Sequence, residues 1–375
     1  MPSPISTIPF NDLSRTPRPV MAEIEAAVAR VLASGWFVMG PEHAGFEAEL
    51  SEYLGGPEVV LVGNGTDALE IALAAVGVGA GDRVLTVANA GAYATIAARL
   101  LGADAVYCDV SPISLLMTPE TFSATLDGLA EPPKAVVVTH LFGAMAEVEQ
   151  IAAIAKSHGI AVVEDCAQAL GARHSGRMAG MFGDIATTSF YPTKNLGALG
   201  DGGAIYTRDP ALADRARRMR QYGWESKYHI AYDHGRNSRL DELQAAILRV
   251  KLPHLDAWNQ RRRAIHARYA EASSPAARVV HTGSESFIAH LAVLTAENRD
   301  DVRAALTAAG VSTDVHYPVP DHHQAFPSRP PEPLTLEATE WSVGAVFSVP
   351  MFPELSDAEV DQVASALAGL DRAHG

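Results

Sequence analysis

Three groups of side chains in this sequence have types and spacing suited to chemistry: a lysine on a glycine-rich turn, an acid ending an apolar run, and a hydroxyl beside paired glycines. Lys194 lies in Ser189-Phe-Tyr-Pro-Thr-Lys194-Asn-Leu-Gly197, which runs on through Gly200, Asp201, Gly202 and Gly203. Pro192 and the glycines argue against a helix, so Lys194 is expected on a turn before the strand Ala204-Ile-Tyr-Thr207. A lysine can form a Schiff base with a carbonyl when a buried or cationic setting lowers its pKa enough to supply free amine. A turn lysine left in water does not. The chain has 29 Lys and Arg, of which five are lysines: 134, 156, 194, 227 and 251. Lys156 and Lys251 fall on helical patterns, Lys134 follows two prolines, and Lys227 sits in a charged loop, which leaves Lys194 the best placed.

The second group is Val162-Val-Glu-Asp165-Cys-Ala-Gln168. The carboxyl end of a buried parallel strand is where α/β proteins bind ligands, and a charge buried there needs a partner. A protonated pyridine nitrogen is one such partner; an ionised Asp165 would keep the ring cationic and electron-withdrawing, with Gln168 within reach of a ring hydroxyl. Helix capping by Asp165 and a surface place for Gln168 are the plainer alternatives.

The third group, Val62-Gly-Asn-Gly65-Thr66-Asp-Ala-Leu69, lies between a strand and a helix. Amides at that helix N-terminus, glycines that let an anion approach, and the Thr66 hydroxyl would make a phosphate site. A glycine turn that merely starts a helix is the alternative. A dinucleotide site would also need an acid at the end of the next strand, roughly twenty positions on. That strand ends Thr86-Val-Ala-Asn89, so the dinucleotide reading is weak.

The elements that must hold these groups alternate in type. Apolar runs at Val59–Val62, Arg83–Ala88, Ala135–Thr139 and Ala161–Glu164 are followed by helical patterns, the rhythm of a mostly parallel sheet covered on both faces. The predicted fold is α/β, a large domain over 1–254 with its N-terminal segment and a smaller α/β domain over 255–375. Helices are expected at Pro210–Gln221, from near Ser238 to Pro253, at Arg299–Ala309, and after the capping box Ser356-Asp-Ala-Glu359; strands are expected at Phe287–Leu294 and Val311–Tyr317. Pro327–Pro333 reads as an exposed loop.

With 375 residues, 48% hydrophobic and 19% charged, the chain is an ordinary globular one. A net charge of −15 opposes nucleic acid and anionic membrane as partners. Arg215, Arg217, Arg218, Arg220 and Arg261 to Arg263 could meet a phosphate locally, but are expected on solvated helix faces. Two cysteines make no disulfide framework, and Cys108 and Cys166 are expected buried and reduced. The first twenty residues lack the apolar run of a signal peptide, and a cytoplasmic location is expected.

A phosphate turn, a strand-end acid and a later turn lysine, in that order, match type I pyridoxal phosphate enzymes. The stretch Ser189–Ala204 closely resembles that of the DegT-like (DegT/DnrJ/StrS) nucleotide-sugar aminotransferases. Gly65-Thr-Asp-Ala-Leu69, Glu164-Asp-Cys-Ala-Gln168, Gly235-Arg-Asn-Ser-Arg-Leu-Asp-Glu-Leu-Gln-Ala-Ala246 and His316-Tyr-Pro318 are similar to the same family. The resemblance implies that Lys194 carries the pyridoxal 5′-phosphate Schiff base and that Asp165 pairs with the pyridine nitrogen. It places Gln168 on the ring hydroxyl, and Gly65, Thr66 and Ser189 on the phosphate with Asn237 of the partner subunit, in a homodimer. The family's stacking aromatic falls at Gly91 here, so Tyr93 is the candidate stacking residue. Tyr191, His316 and Tyr317 are candidate substrate residues. His322 and His323 lack a metal-binding pattern and read as a loop near the substrate entrance. The implied reaction is transfer of nitrogen from glutamate to a keto-deoxy nucleotide sugar, a dTDP-3-keto-6-deoxyhexose on the pattern of Tyr222-Gly-Trp224 and Arg236–Asp241. A 4-keto sugar, an NAD-dependent oxidoreductase and a non-catalytic sensor on the same fold are the alternatives.

Overall fold

The computed structural model describes residues 7–281, 284–326 and 335–373; the Pro327–Pro333 stretch lies outside them. Helices α1 (Arg18–Ser34) and α2 (Pro41–Leu54) precede strand β1 (Glu58–Val62) and helix α3 (Gly65–Ala75). Then come β2 (Arg83–Val87), α4 (Tyr93–Leu100), β3 (Asp104–Cys108), α5 (Pro119–Asp127) and β4 (Ala135–Thr139). They are followed by α6 (Val148–Ser157), β5 (Ala161–Asp165), β6 (Ile185–Ser189), β7 (Gly203–Thr207) and α7 (Pro210–Met219).

These seven strands form one sheet in the order β1-β7-β6-β5-β4-β2-β3, parallel except for β7. The rule that parallel strands are buried on both faces accounts for their composition: every residue of β4, Ala-Val-Val-Val-Thr, is buried. The predicted α/β class and mostly parallel sheet are present. The first βα turn is made by Asn64, whose side chain caps α3 by accepting from the Asp67 N–H at 2.8 Å. Residues Ala68–Ala75 of α3 are all buried, so that helix is a core element with its N-terminus at the sheet's edge.

Beyond the sheet lie α8 (Glu242–Lys251), α9 (Leu255–Ala272), α10 (Arg299–Ala308), α11 (Glu337–Ala345) and α12 (Asp357–Ala373). Strands β8 (Arg278–Val279), β9 (Ala292–Thr295) and β10 (Val346–Val349) make an antiparallel sheet. The capping box at Ser356 and Glu359 is formed, with both reciprocal bonds present.

Three expectations are corrected. Phe287–Leu294 is not one strand: the Ile288 and Leu291 amides donate to Gly143 and Phe142, so 287–291 follows that loop and β9 begins only at Ala292. Val311–Tyr317 is not a strand either; two single bridges, Val311 to Ile8 and Asp314 to Ser348, hold it, and the third strand is β10. Ser238 does not start a helix, because its hydroxyl donates to Asp67 at 2.6 Å and accepts from the Gly63 N–H; α8 starts at Glu242.

The arginines divide. Arg217, Arg218 and Arg261 pair with surface acids as a solvated face would. Arg220 and Arg262 are buried instead, Arg220 on Glu47 and the Leu61 carbonyl, Arg262 on the carbonyls of His290 and Met351. Cys108 and Cys166 are buried and free. No helix among the described residues is long and apolar enough to cross a membrane.

Candidate active site

A cleft of about 640 Å³ opens at the carboxyl ends of the parallel strands. Its walls include Gly65, Thr66, Tyr93, Asp165, Gln168, Ser189, Tyr191, Lys194, His316 and Tyr317. Of the residues implied to hold cofactor or substrate, Asn237 is absent from it: Asn237 is exposed and bridges Gln221.

Lys194 sits half-buried on the turn after β6, its N–H donating to the Tyr191 carbonyl at 2.8 Å. Burial pushes its ammonium down to about 8, against the pull of the Asp165 carboxylate. Among the described residues it is the one lysine or arginine lining the cleft. Burial also lowers His290 and His316 below the usual imidazole range, with the Lys194 charge acting in the same direction. At neutral pH the cleft therefore holds a titratable amine between neutral imidazoles.

Asp165 ends β5, is 7% exposed, and accepts from the Ala167 N–H at 3.0 Å. Burial raises its carboxyl above the usual range, while that bond, Lys194 and His140 draw it back. Behind it, the buried His140 and Glu164 pair at 3.0 Å, and Glu164 also accepts from the amides of Gly180, Phe182 and Gly183. This ties the 180–183 loop to β5 and makes the strand end rigid.

Gln168 is oriented from both ends. Its Oε1 accepts from the Phe142 N–H at 2.6 Å, and its Nε2 donates to the Tyr317 hydroxyl at 3.1 Å. The donor end therefore faces the cleft. At the phosphate turn, a Cβ on Gly65 would lie 2.7 Å from the Ser189 Cβ, so only glycine lets α3 begin against the end of β6. Thr66 and Ser189 both present hydroxyls to the space in front of that N-terminus.

Gly91, where the family's aromatic would stand, has φ +82, and a Cβ there would meet the rings of Tyr93 at 3.0 Å and Tyr317 at 3.1 Å. These two tyrosines, 6.5 Å apart and edge to face, occupy the place instead. His316 bonds Ser348 at 3.0 Å and stacks on Phe10. His322 and His323 lie outside the cleft lining and share Glu340 Oε1 at 2.5 and 3.1 Å.

Residues not foreseen from the sequence also line the cleft: Phe10, Asn11, Asn64, His290 and Asp314. Asn64 carried a usable signal, three residues before Asp67 at a helix start. His290 carried none; its Nδ1 meets Asn195 at 2.8 Å through a contact spanning 95 residues.

The donor set fits a phosphorylated pyridine aldehyde. A helix N-terminus with two hydroxyls suits the phosphate, a strand-end carboxylate suits a ring nitrogen, a fixed amide donor suits a ring oxygen, and a lysine of lowered pKa suits the aldehyde.

Known proteins resemble this chain along nearly its whole length. A sequence profile of the DegT/DnrJ/EryC1/StrS aminotransferase family matches residues 20–368. The chain is 42% identical over 371 residues to the erythromycin biosynthesis sensory transduction protein EryC1 of Saccharopolyspora erythraea, covering 96% of this chain and 98% of that one. It is 40% identical over 370 residues to a dTDP-3-amino-3,4,6-trideoxy-alpha-D-glucose transaminase of Streptomyces venezuelae, covering 96% and 95%. Among solved structures, NtdA of Bacillus subtilis with bound cofactor PMP superposes with a TM-score of 0.90 at 29% identity, over 99% of this chain and 86% of that one.

Proposed function

Because the chain belongs to the DegT/DnrJ/EryC1/StrS aminotransferase family, we propose that it moves an amino group from glutamate to C3 of a dTDP-linked 3-keto-6-deoxyhexose. It is a nucleotide-sugar aminotransferase that depends on pyridoxal 5′-phosphate. The observation that carries the reading is the convergence of Lys194, Asp165 and Gln168 in one cleft beside the α3 N-terminus.

When bound, the cofactor supplies an electron sink for the carbon that loses its proton. Lys194 would anchor it through Nζ until the amino donor takes that place. The freed Nζ, with a pKa lowered to about 8, would then take the proton from the donor's α-carbon and return it to the carbon on the other side of the transferred nitrogen. Asp165 would hold a proton on the ring nitrogen, and the His140–Glu164 pair ties down its strand. Gln168 orients the ring through Nε2, while Thr66, Ser189 and the first amides of α3 hold the phosphate. The keto sugar accepts nitrogen by the same steps in reverse, against the wall of Tyr93, Tyr191, His316 and Tyr317.

A homodimer belongs to this reading. Asn237 is exposed and does not line its own cleft, and among the described residues Lys194 is the one cation that does. Asn237 of the partner subunit completes the phosphate site, as the resemblance implies. The name of the Saccharopolyspora relative brings a sensory role into view. A sensor, however, has no use for a lysine amine of lowered pKa beside a buried acid, and this chain keeps both. Purified enzyme supplied with glutamate and a panel of 3-keto and 4-keto nucleotide sugars is the test. Amine formed on a dTDP-3-keto-6-deoxyhexose supports the proposal; turnover confined to 4-keto sugars, or none, overturns it.

A further inference from the structure

Several helices of this chain are capped by carboxylates remote in sequence. Glu242 accepts from the amides of Gly40, Glu42 and His43 at the start of α2, and Asp109 accepts from Ala338 and Thr339 at the start of α11. Asp321 does the same for α4, and there the cap adjoins the cleft. The N-cap residue of α4, Ala92, has φ +65 and no side chain able to accept a hydrogen bond. Asp321 supplies the missing acceptor: Oδ1 takes the Ala92 N–H at 2.9 Å and Oδ2 takes the Thr95 hydroxyl at 2.5 Å. Its own N–H donates to the Ala88 carbonyl at 2.8 Å. The residue is 1% exposed and is pinned by three bonds to the 88–95 segment.

Both segments joined in this way carry a wall of the cleft. Tyr93 is the first residue of α4, and Tyr317 lies four positions before Asp321. Their rings meet edge to face over Gly91, and the Tyr317 hydroxyl accepts from Gln168. Tyr93 is 47% exposed, so little besides the backbone of α4 holds it in place.

We propose that Asp321 is a positioning residue for the sugar-nucleotide substrate: by capping α4 it holds Tyr93 against Tyr317 and so sets the wall along which the sugar lies. It touches neither substrate nor cofactor and acts through α4. The choice of ligand rests on the function proposed above; the cap itself does not.

The experiment compares wild-type holoenzyme with D321A, which removes both acceptors, and D321N, which keeps an acceptor for Ala92. In D321A, amide exchange in residues 92–96 accelerates about fivefold, the effect of losing one good cap. The KM for the keto sugar rises about tenfold, as expected when a contact shared by ground and transition states is lost, while kcat and the KM for glutamate change less than about twofold. D321N restores both exchange and KM. Unchanged exchange in D321A, or a fall in kcat with KM unmoved, overturns the proposal. If D321A does not fold, T95V removes one of the two donors and is judged on the same two measurements, with smaller shifts in the same direction. A wild-type enzyme that aminates no keto sugar would end the functional reading; exchange at 92–96 still decides the cap.

Discussion

The two walls of the cleft are built differently. On one side, β5, β6 and the N-terminus of α3 present Asp165, Ser189, Lys194 and Thr66 from the edge of a buried parallel sheet. On the other, irregular backbone at 287–291 and 311–317 presents His290, His316 and Tyr317, held by single bridges and side-chain bonds. The first wall carries the amine and the buried acid, at the ends of strands hydrogen-bonded into the sheet. The second carries His290, His316, Tyr317 and the carboxylate of Asp314 on segments outside the large sheet. On the proposed function, chemistry falls to the rigid wall and selectivity to the adaptable one, the usual division between scaffold and loop.

The largest effect expected of any change is on the rigid wall. Lys194→Ala abolishes turnover, measured as amine product under glutamate. Capture of the aldehyde by wild-type apoenzyme strengthens as pH rises through about 8, where the amine loses its proton, and the variant shows no such rise. Measurable transamination in Lys194→Ala would remove the contrast between the walls. Asp165→Asn keeps the shape and loses the charge, and a fall in kcat of about 10² to 10³ is expected, on the scale of lost electrostatic stabilisation. An unchanged rate would reduce Asp165 to a turn residue.

Neither wall includes Asn237, which gives a test in mixed dimers. Lys194→Ala and Asn237→Ala, each inactive or weak alone, should recover about a quarter of wild-type activity when their subunits are exchanged, since half the dimers are mixed and each has one intact site. Recovery of nothing would place Asn237 outside the site. Gly65→Ala pushes a Cβ to 2.7 Å from Ser189 and should weaken cofactor retention about tenfold, read by equilibrium dialysis, with the fold intact.

The smallest effect concerns stability on the adaptable side. Burial pushes the Asp321 carboxyl up to about 7 from an unfolded value of 3.8. The native state thus holds that proton more tightly than the unfolded chain, and its advantage is complete below 3.8 and is lost as pH rises to about 7. Asp321→Asn has no proton to lose, so its Tm relative to wild type should rise by several degrees as pH goes from 3.8 to about 7. A constant difference would show that Asp321 does not titrate in that window.

The rigid wall was legible in the sequence because its parts are local. A strand, a turn and a helix start within a few residues, and a motif such as Glu164–Gln168 or Ser189–Lys194 places its own side chains. The aromatic at Gly91 was the exception, since Tyr93 and Tyr317 fill that place only by meeting across the fold. The adaptable wall misled the strand assignments for the same reason. Phe287–Leu294 and Val311–Tyr317 have strand composition, but their backbone partners are the 142–143 loop, Ile8 and Ser348. Arg220 and Arg262 read as surface charge and are buried because carbonyls and Glu47 meet them there.

By itself the sequence determined the parallel α/β sheet, the glycine turn that opens α3, and the identities of the amine, the acid and the amide that meet at its edge. These follow from periodicity, turn chemistry and short spacing, all of which act over a few residues. Only the tertiary structure decided that His290 flanks Lys194, that two tyrosines close over Gly91, and that Asp321 completes α4 from more than 200 residues away. Such contacts join groups whose separation along the chain carries no pattern, and they form only once the buried sheet has fixed where the segments lie.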